Sequence, residues 1–259
     1  MISESTHWYD QNGDPAYTII GKNGKERNVT LRDARELNLV PSVTTIIGVA
    51  AKPSLENWKI DQALMSALTL PRLKDEPLDT FMKRAKLDSK QQAIDSANRG
   101  TEIHAAIEIG FTEGLENNYF LTVRKILDKL FPGKTWTAED SFAHPLGFGG
   151  KIDLYSDGVV VDFKTKDNLK GKDPQKLVYD EHGMQLSAYA LGLGMENPER
   201  VSIFIDRQED LAVCYRWDDS HQKHLDMFLS LLKYWQLSKN YKPGVKQACT
   251  ATAAELRWF

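Results

Sequence analysis

Apolar and polar positions alternate through residues 151–156, an apolar-rich run follows from 159 to 166, and Asp157-Gly158 joins the two. That dipeptide favours a two-residue hairpin turn, so the pattern predicts strand, turn and strand. Upstream, TWTAEDSFA alternates in the same way, and HPLGFGG reads as a glycine-rich connection. Downstream, residues 180–196 read as helix, VSIFIDR and LAVCYRW as two more strands, and HLDMFLSLLKYWQLSK as an amphipathic helix. Residues 55–110 have helix-forming composition broken by Pro71 and Pro77, and Pro41 leads through a turn towards a helix start near Pro53 and Ser54. Between His7 and Val40, Asn12-Gly13 and Asn23-Gly24 mark hairpin turns in a small β-element. The expected fold is α/β, with a central mixed β-sheet flanked by helices and a mostly helical N-terminal region before it.

With Asp157 and Gly158 as the loop, Ser156 pairs with Val159, Tyr155 with Val160, Leu154 with Val161 and Asp153 with Asp162. Opposed residues share a face. One face then carries Ile152, Leu154, Val161 and Phe163 and belongs on the core. The other carries Lys151, Asp153, Asp162 and Lys164. Adjacent carboxylates destabilise a sheet and raise each other's pKa. A divalent cation relieves that repulsion, and hard oxygen ligands beside a phosphate suit Mg2+. Such a cation polarises a phosphodiester, and Lys164 can position water or stabilise charge developing at phosphorus. The alternative is an exposed hairpin with ordinary surface charges.

A chain of 259 residues suffices for one large domain. With 41% hydrophobic and 27% charged residues it has the balance of a folded protein. No apolar run approaches the ~20 residues of a membrane helix. MISESTHWYD has neither the basic start nor the apolar stretch of a secretion signal, so a cytoplasmic location is expected. Two cysteines, Cys214 and Cys249, make no thiolate cluster. The net charge of -3 excludes a surface coated in cations but not nucleic acid as a substrate. Lys83, Arg84, Lys86, Lys90 and Arg99 read as a solvated helix face, or as an arm following a DNA backbone. FPGKT lacks the first glycine of a phosphate-binding loop, where Asp128 stands, so no ATP is expected. His221 and His224 share a helix face without the carboxylate spacing of a zinc site and are expected to be exposed, and Asn28-Val29-Thr30 is read as a chance glycosylation triplet.

GGKIDLYSDGVVVDFKTK resembles the core of the PD-(D/E)XK nuclease superfamily in the form D-x8-D-F-K, and more narrowly its RecB-like exonuclease branch. RGTEIHAAIE resembles that branch's helix with a metal-binding histidine, QLSAYALG its Q-x-x-x-Y motif, and LPSVTTIIGVAAKPSLENW a block common in phage members and in mitochondrial genome maintenance exonucleases. The resemblance runs from about Pro41 to Gly192. It implies a restriction-endonuclease-like core with Asp153, Asp162, His104 and the backbone carbonyl of Phe163 as metal ligands and Lys164 as the catalytic lysine. Gln185 and Tyr189 would clamp the substrate. A nitrogen ligand makes Mn2+ a substitute for Mg2+. Four cysteines hold an iron–sulfur cluster in some members; that pattern is missing here, so no cluster is expected.

The implied protein is a single nuclease domain: a β-element and helical region (1–98), the core (99–240) and a tail (241–259). Its implied activity is metal-dependent exonucleolytic hydrolysis of DNA, by in-line attack of water on phosphorus, with phage replication or recombination proteins as partners by analogy. Glu108, one helical turn from His104, could hold that ring, bind a second metal through water or be a surface charge. Glu139 is a contributor without an assigned role. A structure-specific endonuclease on the same fold is the enzymatic alternative, and residues 70–98 are where an arch blocking internal binding would lie. A non-catalytic DNA-binding module is disfavoured by the intact Asp153, Asp162 and Lys164, and RNA by the lack of any RNA-binding motif.

Overall fold

The structure, a computed structural model, describes residues 7–218 and 221–244. Most of the expected tail, with Cys249, lies outside them. Five strands form the main sheet in chain order: β5 (Thr137–His144), β6 (Phe148–Ser156), β7 (Val159–Lys166), β8 (Glu199–Asp206) and β9 (Ala212–Arg216). β7 and β8 run parallel and the other pairs antiparallel, so the sheet is mixed. A parallel pair needs a crossover, and α6 (Asp180–Gly192) supplies it. The expected α/β architecture is therefore present, with four shorter strands added near the N-terminus: β1 (Trp8–Tyr9), β2 (Thr18–Ile20), β3 (Glu26–Asn28) and β4 (Val40–Pro41).

Each face of the main sheet is covered. On one side Phe148, Ile152 and Val160 pack with α2 (Val43–Ile47), α6 and α7 (His221–Ser238). On the other, Leu154, Val161, Phe163 and Ile203 pack with Ile103 and Ile107 of α4 (Leu78–Glu113) and with Val123 and Leu127 of α5 (Asn118–Leu130). α5 is absent from the elements expected from the sequence, although Asn117 caps it through Phe120 N–H and Phe120, Val123 and Leu127 recur at helical spacing. α3 (Pro53–Thr69) starts on Pro53 and packs against α4, and the breaks expected at Pro71 and Pro77 fall between these two helices.

The N-terminal β-element is present but interrupted. Asn23-Gly24 turns β2 into β3, while β1 pairs with the distant β4. Between β3 and β4 lies an unexpected helix, α1 (Leu31–Leu37), capped by Thr30 and Asp33.

Two readings of the sheet need correction. HPLGFGG is not all connection, because Phe148, Gly149 and Gly150 open β6. Gly150 serves close packing: a Cβ there would come within 2.7 Å of the Tyr189 ring on α6. Ile152 also does not share a core face with Leu154. Ile152 joins the α6 side and Leu154 the α4 side, so alternation breaks at Asp153. The cause lies opposite, where Glu139 takes a left-handed backbone (φ 57) and the β5–β6 ladder skips the Glu139–Asp153 position.

A third correction concerns His224. It is fully buried rather than exposed, lying 3.1 Å from Arg200 Nη1 and 3.3 Å from Asp180 Oδ1. These partners tie α7 to β8 and α6, so the ring is a structural link.

Candidate active site

The turn at Asp157-Gly158 sets the register of the central hairpin. Gly158 supplies the positive φ (69) that the tight turn requires, and Ser156–Val159, Tyr155–Val160 and Leu154–Val161 pair as expected. The next expected pair, Asp153–Asp162, does not form in the ladder. Instead Phe163 N–H donates to Asp153 Oδ2 at 2.7 Å. The strands part at the two carboxylates, and the space between them opens the site.

Three elements meet there. β6 brings Asp153, β5 brings Glu139 and α4 brings His104, with ligating atoms all within 4.8 Å of one another. His104 Nδ1 lies 3.6 Å from Asp153 Oδ1. Burial alone would lower the His104 pKa, but the hydrogen bond and charge of Asp153 raise it overall. Burial likewise disfavours ionised Asp153, and His104, Lys164 and the Phe163 N–H outweigh it, so its pKa falls. Burial raises that of Glu139 against its ion pair with Lys151. Glu108 and Lys151 line the same cleft, about 310 Å3 in volume. Glu108 thus stands at the rim, one turn along α4 from His104.

Asp162 is outside this cluster. It is fully buried, with Lys164 Nζ 2.7 Å from Oδ1 and 2.5 Å from Oδ2. Only the Oδ1 contact has hydrogen-bond geometry, so among the described residues the buried Oδ2 meets Lys164 as a close charge contact and accepts no hydrogen bond. Burial pushes the Asp162 pKa up to about 6, against the attraction of Lys164. Lys164 Nζ also donates to Gln185 Oε1 at 3.2 Å, and Gln185 Nε2 donates to the Tyr189 hydroxyl at 2.9 Å. Asp162, Lys164, Gln185 and Tyr189 therefore form one chain that holds the lysine.

Of the residues read from the sequence, His104 and Asp153 come together and Asp162, Lys164 and Gln185 lie beside them. The Phe163 ring is in the core. Tyr189 is only 5% exposed and packs in the core, so it orients Gln185 and offers little open face for the expected clamp. Glu139 is the residue the sequence left without a role. Its parity on β5 gives no signal, because the left-handed backbone turns its side chain to the site.

The donors fit a hard divalent cation. Glu139 and Asp153 offer carboxylate oxygens, His104 a nitrogen, and Asp162 Oδ2 accepts no hydrogen bond among the described residues, with the Lys164 charge beside it.

No family model and no curated protein sequence matches this chain. Among solved structures, it is similar to an alkaline exonuclease (LHK-Exo) from Laribacter hongkongensis, at 14% identity and a TM-score of 0.37 over 71% of this chain and 96% of that one. It is also similar to the crystal structure of SSO0001, at 15% identity and a TM-score of 0.31 over 72% of this chain and 88% of that one.

Proposed function

We propose that the protein is a divalent-cation-dependent hydrolase of DNA phosphodiester bonds, acting from strand ends. The observation that carries this reading is the cluster of His104, Glu139 and Asp153 next to the buried Asp162–Lys164 pair. The ordered resemblance from Pro41 to Gly192 supports DNA as the substrate and exonucleolytic action.

His104, Glu139, Asp153 and Asp162 would hold the cation. When bound, it would polarise the phosphodiester and neutralise charge developing on its oxygens. Lys164 Nζ is fixed between Asp162 and Gln185 beside the cluster. It orients the attacking water and stabilises the pentacoordinate phosphorus. Gln185 keeps the lysine in place, and Tyr189 fixes which way the Gln185 amide points.

The test incubates purified protein with linear and closed circular DNA in Mg2+, Mn2+ or EDTA, beside Lys164→Ala and Asp153→Asn. Loss of linear DNA alone, abolished by EDTA and by both substitutions, is expected. Cutting of circles would replace the exonuclease with an endonuclease. No cutting of either substrate, single- or double-stranded, would sink hydrolysis.

A further inference from the structure

A second, larger cleft of about 870 Å3 lies at the C-terminal end of β7, between α3, α4 and the start of α6. Thr165 and Lys166 line it immediately beyond the catalytic lysine, and Ala97 lines it from α4, one turn before Gly100. Gly100 borders the smaller cleft, and a Cβ there would sit 3.0 Å from Thr165 Oγ1. The two clefts are thus neighbours across the close Gly100–Thr165 contact.

The larger cleft combines aromatic surface with a cation held in no salt bridge. Trp58 and Tyr179 line it and are 38% and 42% exposed. Lys166 Nζ stands 5.9 Å from the centre of the Tyr179 ring. The other charges are matched: Lys52 lies 3.6 Å from Glu181, Arg207 lies 3.3 Å from Asp167, and Asp180 faces Lys223 and His224. Lys166 makes no salt bridge among the described residues, and the Glu181 carboxylate that pairs with Lys52 is the acidic group that favours its charge. Arg207 Nε is buried and, among the described residues, makes no hydrogen bond, only the ion pair with Asp167. The chemistry asked for is one flat ring and one anion. The volume falls in the ~300–1,000 Å3 range of small-molecule sites, the scale of a nucleotide rather than of a duplex.

We propose that this cleft seats an unpaired nucleotide of the substrate strand next to the scissile bond, with its base against Tyr179 and its phosphate on Lys166. A base exposes its face to an aromatic ring only when unstacked, so the substrate here is single-stranded or frayed. This rests on the DNA-hydrolase reading above and extends it to strand state.

The test is fluorescence anisotropy with a labelled short oligothymidylate in EDTA, which prevents metal-dependent cutting. The variants are Tyr179→Leu, Lys166→Gln and Ala97→Trp, which fills the cleft from an exposed helix position, each checked for an unchanged melting temperature. Tyr179→Leu should weaken binding by roughly 5- to 100-fold, as expected for one lost base stack. Lys166→Gln should reduce the slope of log affinity against log salt by about 0.7, one phosphate on a single strand. Excess thymidine monophosphate should compete poorly; competition at equal concentration would assign the cleft to a free nucleotide instead of a strand. Unchanged binding by all three folded variants, or no binding by the wild type, overturns the proposal. Cutting assays on the same preparations separate the two ideas. Cutting with variant binding unaffected removes only the cleft. Variant binding lost without any cutting by the wild type keeps the cleft and removes hydrolysis.

Discussion

Glu139 shows how one residue can carry both strain and chemistry. A left-handed backbone costs a non-glycine residue roughly 1–2 kcal/mol, and here it falls inside a strand at φ 57. Such strain clusters at functional sites, and this instance turns a carboxylate towards His104 and Asp153. Two substitutions separate the effects. Glu139→Ala and Glu139→Gly both lose the carboxylate and should both lose at least 100-fold in cutting rate, but the glycine variant should be about 1 kcal/mol more stable than the alanine variant by urea unfolding. Equal stabilities would mean that the backbone strain is not there. Lys164 presents the opposite case, a residue whose loss, in the proposed function, costs mostly catalysis. Lys164→Ala should reduce cutting by roughly 100- to 1,000-fold while leaving metal-induced stabilisation in place, because in the proposed function the lysine orients water and holds no cation.

At the scale of elements, α6 depends on a neutral histidine. Tyr179 N–H at the start of the helix donates to His182 Nδ1 at 3.4 Å. Burial, with Lys164, Lys166 and Lys52 nearby, lowers the His182 pKa to about 3. The unfolded chain takes a proton near pH 6.5 that the fold refuses, so this stabilisation is full above pH 6.5 and is lost as pH falls towards 3. Burial lowers His144 to about 4 and acts in the same direction. Moving from pH 7.5 to 5 should therefore cost about 2 kcal/mol through His182 alone in urea unfolding, and His182→Gln should flatten the dependence. An unchanged slope in that variant would move the effect to other groups.

The hairpin that feeds α6 was legible because Asp157-Gly158 dictates its own turn and an apolar alternation follows from it. The break at Asp153 was not, because nothing local to Glu139 in the sequence announces a left-handed backbone. The spacing of Phe120, Val123 and Leu127 carried a signal for α5 that the expected elements left out, whereas the burial of His224 depends on Arg200 and Asp180, distant in sequence. Periodicity records which face is apolar, but not which tertiary partner waits there.

Across the whole molecule, the site lies where the sheet's two cores meet, with β6 passing from the α6 side to the α4 side at Asp153. A ligand drawing Glu139, Asp153, His104 and Asp162 together therefore braces β5, β6, β7 and α4 at once. Without a cation, ionised Asp162 is disfavoured. Its pKa is raised to about 6, so its contribution is favourable below the unfolded value near 3.8 and is lost as pH rises through 6. A cation competes with that proton, so metal affinity should rise with pH across the same interval. Binding stabilises by about 2.7 kcal/mol at a hundredfold excess over Kd. For a chain of 259 residues that is a rise of roughly 5–10 °C in melting temperature. Mg2+ or Mn2+ should produce the rise at pH 8, less of it at pH 5, none in Asp153→Asn, and EDTA should reverse it. A rise that persists in Asp153→Asn would place the cation elsewhere on the protein, and a rise independent of pH would remove Asp162 from its ligands.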